Sequence, residues 1–413
     1  MRCKLKKHKN PVIESEFRKL RATIRKQIKT AYNMHENLLE QGLMQNPSKF
    51  WQYVKSKREA RADSNTKVHE GRVYEQPQEI ADNFAAYFSS VYVSDTNTAP
   101  PTTTPHNSTH SVSLSRIRAC DVATAIKKMK AKRSEGPDGI PPYVYKGLGE
   151  FLDKPLAHIF NLCFNAVIYP QIWKVSRVAP LPKGENSTNI DNHRLVALIP
   201  VPAKIFKSII YAQIFPQVES VVIDSQHGFR KGRGVQTNLA SFTQHLAEHL
   251  DRGEQVDAVY TNFQKAFDKV NHNVLLSKMI NLGFDAHAIK FFQAYLSGRT
   301  QYVGYKNTRS KSFSCPSGVP QGSNLGPLLF ILFVNDIEER IANSKVLLYA
   351  DDMKIFRRIE CREDCFALQR DLDAVAEWSE NNKLPLNVKK CEKNNIHKEN
   401  CKKYRAPIHI YNI

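Results

Sequence analysis

The chain has 413 residues, with 60 Lys and Arg against 40 Asp and Glu and a formal net charge of +20. That length accommodates about two or three domains with full cores, and the cationic surplus points to a polyanionic partner, nucleic acid first. The sequence has no apolar N-terminal segment and no run of about 18 apolar residues, so the expectation is a nuclear or cytoplasmic protein, neither secreted nor in a membrane. Nothing in the sequence fixes an oligomeric state.

The charge is uneven. Residues 1–61 carry 16 basic and 5 acidic side chains (+11), and residues 383–413 carry 8 and 2 (+6), which leaves +3 for the middle. The ends read as phosphate-gripping surfaces, and the middle as the place for acidic chemistry. Eight cysteines (3, 120, 163, 315, 361, 365, 391, 401) show no paired framework, as in a reducing compartment. Cys391, His397 and Cys401 lack a fourth ligand at the tight spacing of a zinc knuckle.

In chain order, residues 1–62 form a basic helical region. Phe17, Leu20, Ile24, Ile28 and Ala31 recur at helical spacing with Arg and Lys on the other side; such a face either contacts nucleic acid or is a solvated cover. Residues 63–93 hold a short helical segment around Asn83–Tyr92. Residues 94–113, rich in Pro, Thr and Ser, predict a flexible linker. Residues 114–395 form the compact part, and 396–413 a basic tail. Within the compact part, helices are expected over Asp121–Met129, Leu156–Val167 and Ala203–Ile214, and a strand over Trp173–Leu181. The stretch Gln226–Arg233 packs three cations and two glycines into eight residues, the composition of a phosphate-approaching loop. Asp257–Phe263 reads as a buried strand, and Gly318–Phe330 as a glycine-punctuated loop opening an apolar helix. Leu368, Leu372 and Val375 mark a further helix.

Between Val346-Leu347-Leu348 and Met353-Lys354-Ile355-Phe356 stands Tyr349-Ala350-Asp351-Asp352. Two short β-prone runs joined by adjacent acids predict a hairpin with carboxylates at its tip. Carboxylates held together suit Mg²⁺, a hard cation that takes oxygen ligands; the alternative is a solvated turn.

The ordered set GPDGI, QHGFRKGRG, NFQKAFDKVNH, SGVPQGSNLGPLLF with its NDI, YADD and LNVKKC resembles the reverse transcriptase domain of non-LTR (LINE-type, jockey-like) retrotransposons. The resemblance covers roughly residues 114–395 and, weakly, Asn46–Trp51. It implies an α+β fold, a right-hand polymerase palm and fingers with an antiparallel palm sheet, preceded by basic helices. It also implies RNA-directed DNA polymerisation on an RNA template and DNA primer with deoxynucleoside triphosphates. Two Mg²⁺ ions, or Mn²⁺ in their place, would support nucleotidyl transfer.

Asp351 and Asp352 then match two of three metal-binding positions. The third, an acid in the family's DFxKAFD motif, is Asn262 here, which offers one neutral carbonyl oxygen in place of two anionic ones. Phe267 matches the aromatic residue under the sugar that disfavours a 2′-hydroxyl, or is plain core. Gln321 and Gly322 match the loop touching template and nucleotide. Lys183 and Arg194 resemble the cations that hold triphosphate, although Asn192-His193-Arg194-Leu195-Val196 stands where the family reads NYRPI. Lys390 matches the lysine of LNxxKC, a proton donor to pyrophosphate or a surface charge. The family's endonuclease and helical thumb have no counterpart here. Impaired polymerase is thus the expected function, and a catalytically inactive relic that only binds nucleic acid is the alternative.

Overall fold

The computed structural model describes residues 11–41, 66–93, 111–184, 188–320, 322 and 325–397. The chain divides into two units, residues 1–66 with 184–188, and residues 67–183 with 189–413. In the first, the expected amphipathic helix spans Pro11–Gln41, and its Leu20, Ile24, Ile28 and Met34 are all exposed.

The second unit is α+β. It opens with a short hairpin, β1 (Lys67–His69) and β2 (Arg72–Tyr74), followed by helix Pro77–Val91. Strands β3 (Val175–Pro182) and β4 (His193–Leu198) are antiparallel neighbours, and β3 also runs parallel to β6 (Thr300–Tyr305). The short strands β7 (Thr308–Arg309) and β8 (Phe313–Ser314) complete this five-stranded sheet. Helix Pro77–Val91 buries Ile80, Phe84 and Phe88 against Val178 and Val303 of the sheet. Apolar residues at i, i+4 and i+8 lie on one helical face, which is why this short segment can cap a sheet.

A second sheet has four strands in the order β11-β5-β10-β9, all antiparallel. They are β5 (Gln255–Asn262), β9 (Lys345–Tyr349), β10 (Asp352–Ile359) and β11 (Glu392–Ile396). β5 is an interior strand and almost wholly buried, although Gln255, Asp257, Thr261 and Asn262 break its apolar run. Beneath the sheet, helix Leu325–Phe333 is buried on nearly every side, the state of a helix that is hydrophobic all round. The Lys278 ammonium donates to Asp336 Oδ1 at 2.6 Å, and Trp378 Nε1 donates to the same oxygen at 3.0 Å. That carboxylate thereby ties helices His272–Asn281 and Arg362–Asn381 to the end of the buried one.

Several boundaries differ from the sequence reading. Trp173 belongs to a helical turn, Gln171–Lys174, and the strand starts only at Val175. Val112, inside the stretch expected to be linker, is buried and exchanges backbone hydrogen bonds with Gly283 and Asp285. Residues 94–110 of that stretch, 398–413 of the tail, and Gln321 lie outside the described residues. Beyond Lys390 the chain forms β11, where Lys393 Nζ lies 3.4 Å from the fully buried Asp257 carboxylate. A buried carboxylate needs such a partner.

Candidate active site

β9 and β10 form the expected hairpin, turned by Ala350 in the left-handed region at φ 58°. Its outer side is held by the segment Ser225–Gly228. His227 N donates to Leu348 O (2.9 Å), and Leu348 N donates to Ser225 O (2.9 Å). Gln226 Oε1 accepts from both Ala350 N (3.0 Å) and Gly228 N (2.8 Å), fixing the turn through one buried amide. A Cβ at Gly228 would lie 2.4 Å from Ala350 N, so only glycine lets the two backbones meet here.

Asn262 ends β5 directly opposite Asp352 in the ladder. Its amide nitrogen donates to Asp352 Oδ1 at 2.5 Å and to Asp351 Oδ2 at 3.3 Å. The three side chains that the sequence singled out therefore converge, with an N–H donor where the family resemblance expects an anion. Asn387 N donates to Asn262 O (2.7 Å), and Gln264 N donates to Pro385 O (2.8 Å). This pairing lays Leu384–Lys390 along the strand end and brings the Lys390 charge within electrostatic range of Asp351.

Burial, then the charge of Asp352, pushes the Asp351 carboxyl above its ordinary 3.8, against the pull of Asn262 and Lys390. A folded-state pKa above the unfolded one means that the native state holds this proton more tightly. Stability from this group is thus full below about pH 3.8 and declines as pH rises through the raised value. Asp351→Asn is expected to raise the melting temperature in metal-free buffer near pH 7.5, with the gain vanishing near pH 3.5. A gain independent of pH would contradict this origin.

A cavity of about 270 Å³ is lined by Phe88, Lys183, His193, Arg194, Lys265 and Asp268, among others, and Lys390, whose charge reaches Asp351, also bears on its Lys183. Burial, then Lys265, Lys390 and Arg194, lowers the Lys183 pKa, the mark of cations crowded round a space suited to anions. The sequence reading brought Lys183, Arg194 and Lys390 here but missed Lys265. That lysine sits in the left-handed region (φ 51°), with Nζ 3.0 Å from the Tyr87 hydroxyl, and neither feature is visible in a motif.

Phe267 stacks on Phe330 at 4.6 Å and 27° and meets the edge of Phe229 at 6.0 Å and 87°. One face is therefore core, and the other adjoins Phe229, itself 48 % exposed and held at φ 58°. Phe229 is a second site residue that the sequence reading passed over; its place between glycine and arginine in QHGFRKG was the only hint. Gly322 has φ 94°, and a Cβ there would lie 2.9 Å from Ala197 O on β4, so both backbone and space demand glycine.

Among the described residues, no group of three or more His, Cys, Asp or Glu side chains is arranged to hold a metal ion. Asp351 and Asp352 fit a single hard cation. The neutral amide at 262 does not complete the seat for a pair.

The model of the reverse transcriptase (RNA-dependent DNA polymerase) family matches residues 181–408, more than half of the chain, and the chain belongs to that family. It is similar to the probable RNA-directed DNA polymerase from transposon BS of Drosophila melanogaster, 29 % identical over 291 residues (68 % of this chain, 32 % of that protein). It is also similar to the RNA-directed DNA polymerase from mobile element jockey of the same species, 28 % identical over 292 residues (68 % and 32 %). The probable RNA-directed DNA polymerase from transposon X-element, again of Drosophila melanogaster, is 25 % identical over 285 residues (67 % and 31 %). The chain thus spans about a third of the length of these relatives. These likenesses make it a LINE-type reverse transcriptase domain. No described helix is long and apolar enough to cross a membrane.

Proposed function

We propose that the chain carries the palm and fingers of an RNA-directed DNA polymerase from a non-LTR retrotransposon, with weak nucleotidyl-transfer activity. The four-stranded sheet would be the palm and the five-stranded sheet part of the fingers. The convergence of Asn262, Asp351 and Asp352, together with the cationic cavity, carries this reading. Its substrates would be an RNA template, a DNA primer and deoxynucleoside triphosphates.

Within this reading Lys183, Arg194 and Lys265 neutralise the triphosphate, and Phe267, buttressed by Phe330, packs under the sugar. Gly322 and Gln321 would contact template and nucleotide, and Lys390 would hand a proton to pyrophosphate. Asp351 and Asp352 would hold Mg²⁺ or Mn²⁺, which when bound offsets their mutual repulsion and the charge of the triphosphate. Asn262 instead meets each carboxylate with an N–H group, an arrangement poor for a two-ion site.

The test is extension of a DNA primer on an RNA template, with Asp352→Asn as the negative control. Slow extension lost in the control supports the polymerase. A second reading, a relic that only binds nucleic acid, is favoured by the same Asn262 and predicts binding with no extension at any metal concentration. In either case binding is expected to be salt-sensitive, with about −0.9 per neutralised phosphate in the log–log slope on duplex. Deleting residues 1–61, which carry +11, should flatten that slope. An unchanged slope would make the N-terminal helix purely structural.

A further inference from the structure

Away from the acidic tip, four polar side chains lie together in the core with no acidic residue among them. Lys207 on helix Val201–Val218 is 1 % exposed, Tyr295 on helix Ala286–Leu296 is 0 %, Arg299 just beyond it is 6 %, and Tyr169 is 3 %. Lys207 Nζ stands 5.2 Å from the Tyr295 ring centroid, and the Arg299 guanidinium carbon stands 5.3 Å from the same centroid and 5.9 Å from that of Tyr169. The two phenol rings meet edge to face at 5.1 Å.

The Arg299 Nη1 group donates to Tyr295 O at 3.0 Å. Lys207 Nζ, Arg299 Nη2 and both tyrosine hydroxyls make no hydrogen bond of ordinary geometry, although the Arg299 guanidinium bears on the Tyr169 hydroxyl. The charged groups bearing on Lys207 are Arg299 and Lys204, and Arg299 also bears on Lys174. All are cations, and neither Lys207 nor Arg299 makes an ion pair among the described residues. Buried polar groups are normally satisfied and buried charges paired. Here two cations lie among aromatic rings with no anion beside them, and the two phenol oxygens are the only side-chain acceptors in the group.

We propose that Lys207, Arg299, Tyr169 and Tyr295 form a binding site for a small inorganic anion of chloride size. The anion supplies the missing negative charge and an acceptor that the four groups can share. Water could accept some of these bonds but would leave both cations uncompensated. Burial and Arg299 push the lysine well below its usual range, and the anion offsets both. Because the four side chains are enclosed, the occupant is a free ion rather than a phosphate of a nucleic acid. The inference stands independently of the polymerase reading.

The test is thermal unfolding of the full chain in sodium chloride against sodium gluconate at equal ionic strength, gluconate being too large to enter. Ligand linkage predicts that the melting temperature rises with chloride, by on the order of a few degrees between about 10 and about 300 mM, and less with gluconate. Lys207→Met keeps length and volume and should remove that difference. Lys290→Met, an exposed cation on the same helix as Tyr295, should retain it and so controls for general anion effects. A wild type indifferent to the anion would mean that Lys207 folds as the neutral amine, and a chloride response surviving in Lys207→Met would place the anion elsewhere. Either result overturns the proposal.

Discussion

Asn262→Asp is expected to raise RNA-templated primer extension by about a hundredfold or more. The present amide sits at hydrogen-bond distance from both carboxylates, 2.5 Å from Asp352 and 3.3 Å from Asp351. Its N–H groups occupy directions that a cation would otherwise take. An aspartate in the same backbone position replaces the NH2 donor with a second oxygen and makes the group anionic, so the cluster loses its internal donor and must recruit positive charge. Transition-state charge in phosphoryl transfer is stabilised mainly by pre-positioned electrostatics, and misplacement by about 1 Å costs on the order of a hundredfold. The same substitution should lower stability in metal-free buffer, since three carboxylates then share one corner. Melting with chelator present and with metal restored reads this directly. An Asn262→Asp protein that is neither less stable without metal nor more active with it would show that position 262 has no part in the site.

Gly228→Ala is expected to be the most damaging single-methyl change near the tip. The added Cβ would sit 2.4 Å from Ala350 N and 3.1 Å from Ala350 Cα, both backbone atoms that cannot rotate aside. The hairpin must move, and the two hydrogen bonds to Gln226 Oε1 must stretch or break. Overpacking of this kind costs about 1–3 kcal/mol, or several degrees in melting temperature, and it displaces Asp351 and Asp352 together. Gly232→Ala in the same loop is the matched control. Gly232 has φ 74° but nothing within 4 Å of its Cβ position, so its cost is only left-handed strain, of about 1 kcal/mol. Equal effects of the two substitutions would show that the loop does not hold the hairpin.

The central sheet was legible where local pattern and tertiary role coincide. The β-prone runs on either side of Asp351-Asp352 mark β9 and β10, and the strand read over Asp257–Phe263 overlaps β5, whose end lies at the site. The helix opened by Gly326 and Pro327 was equally plain, because nothing but burial explains so apolar a stretch. Glu392-Lys393-Asn394-Asn395-Ile396 was not legible as a strand, having no alternation and only Ile396 as a β-branched residue to mark it. Its pairing comes from the partner, a buried strand carrying Asp257, which Lys393 approaches. Gln226 was likewise read as part of a cationic loop, whereas its work is to accept two backbone hydrogen bonds from residues far apart in sequence. Lys265 and Phe229 owe their positions to left-handed backbone turns, which non-glycine residues adopt too seldom for a sequence to announce. The buried cations Lys207 and Arg299 were invisible for the opposite reason. A lysine within a helix reads as surface until its neighbours are known.

Metal binding by the wild type and by Asn262→Asp tests the central claim most directly, because it needs neither primer nor template. Mg²⁺ and Mn²⁺ are titrated into both proteins under the same salt. The account predicts weak binding to the wild type and binding tighter by about tenfold or more in the variant, as expected when a neutral ligand becomes an anionic one. Equal and tight binding in both would mean that Asp351 and Asp352 suffice, that Asn262 is no impairment, and that the cluster is competent as it stands.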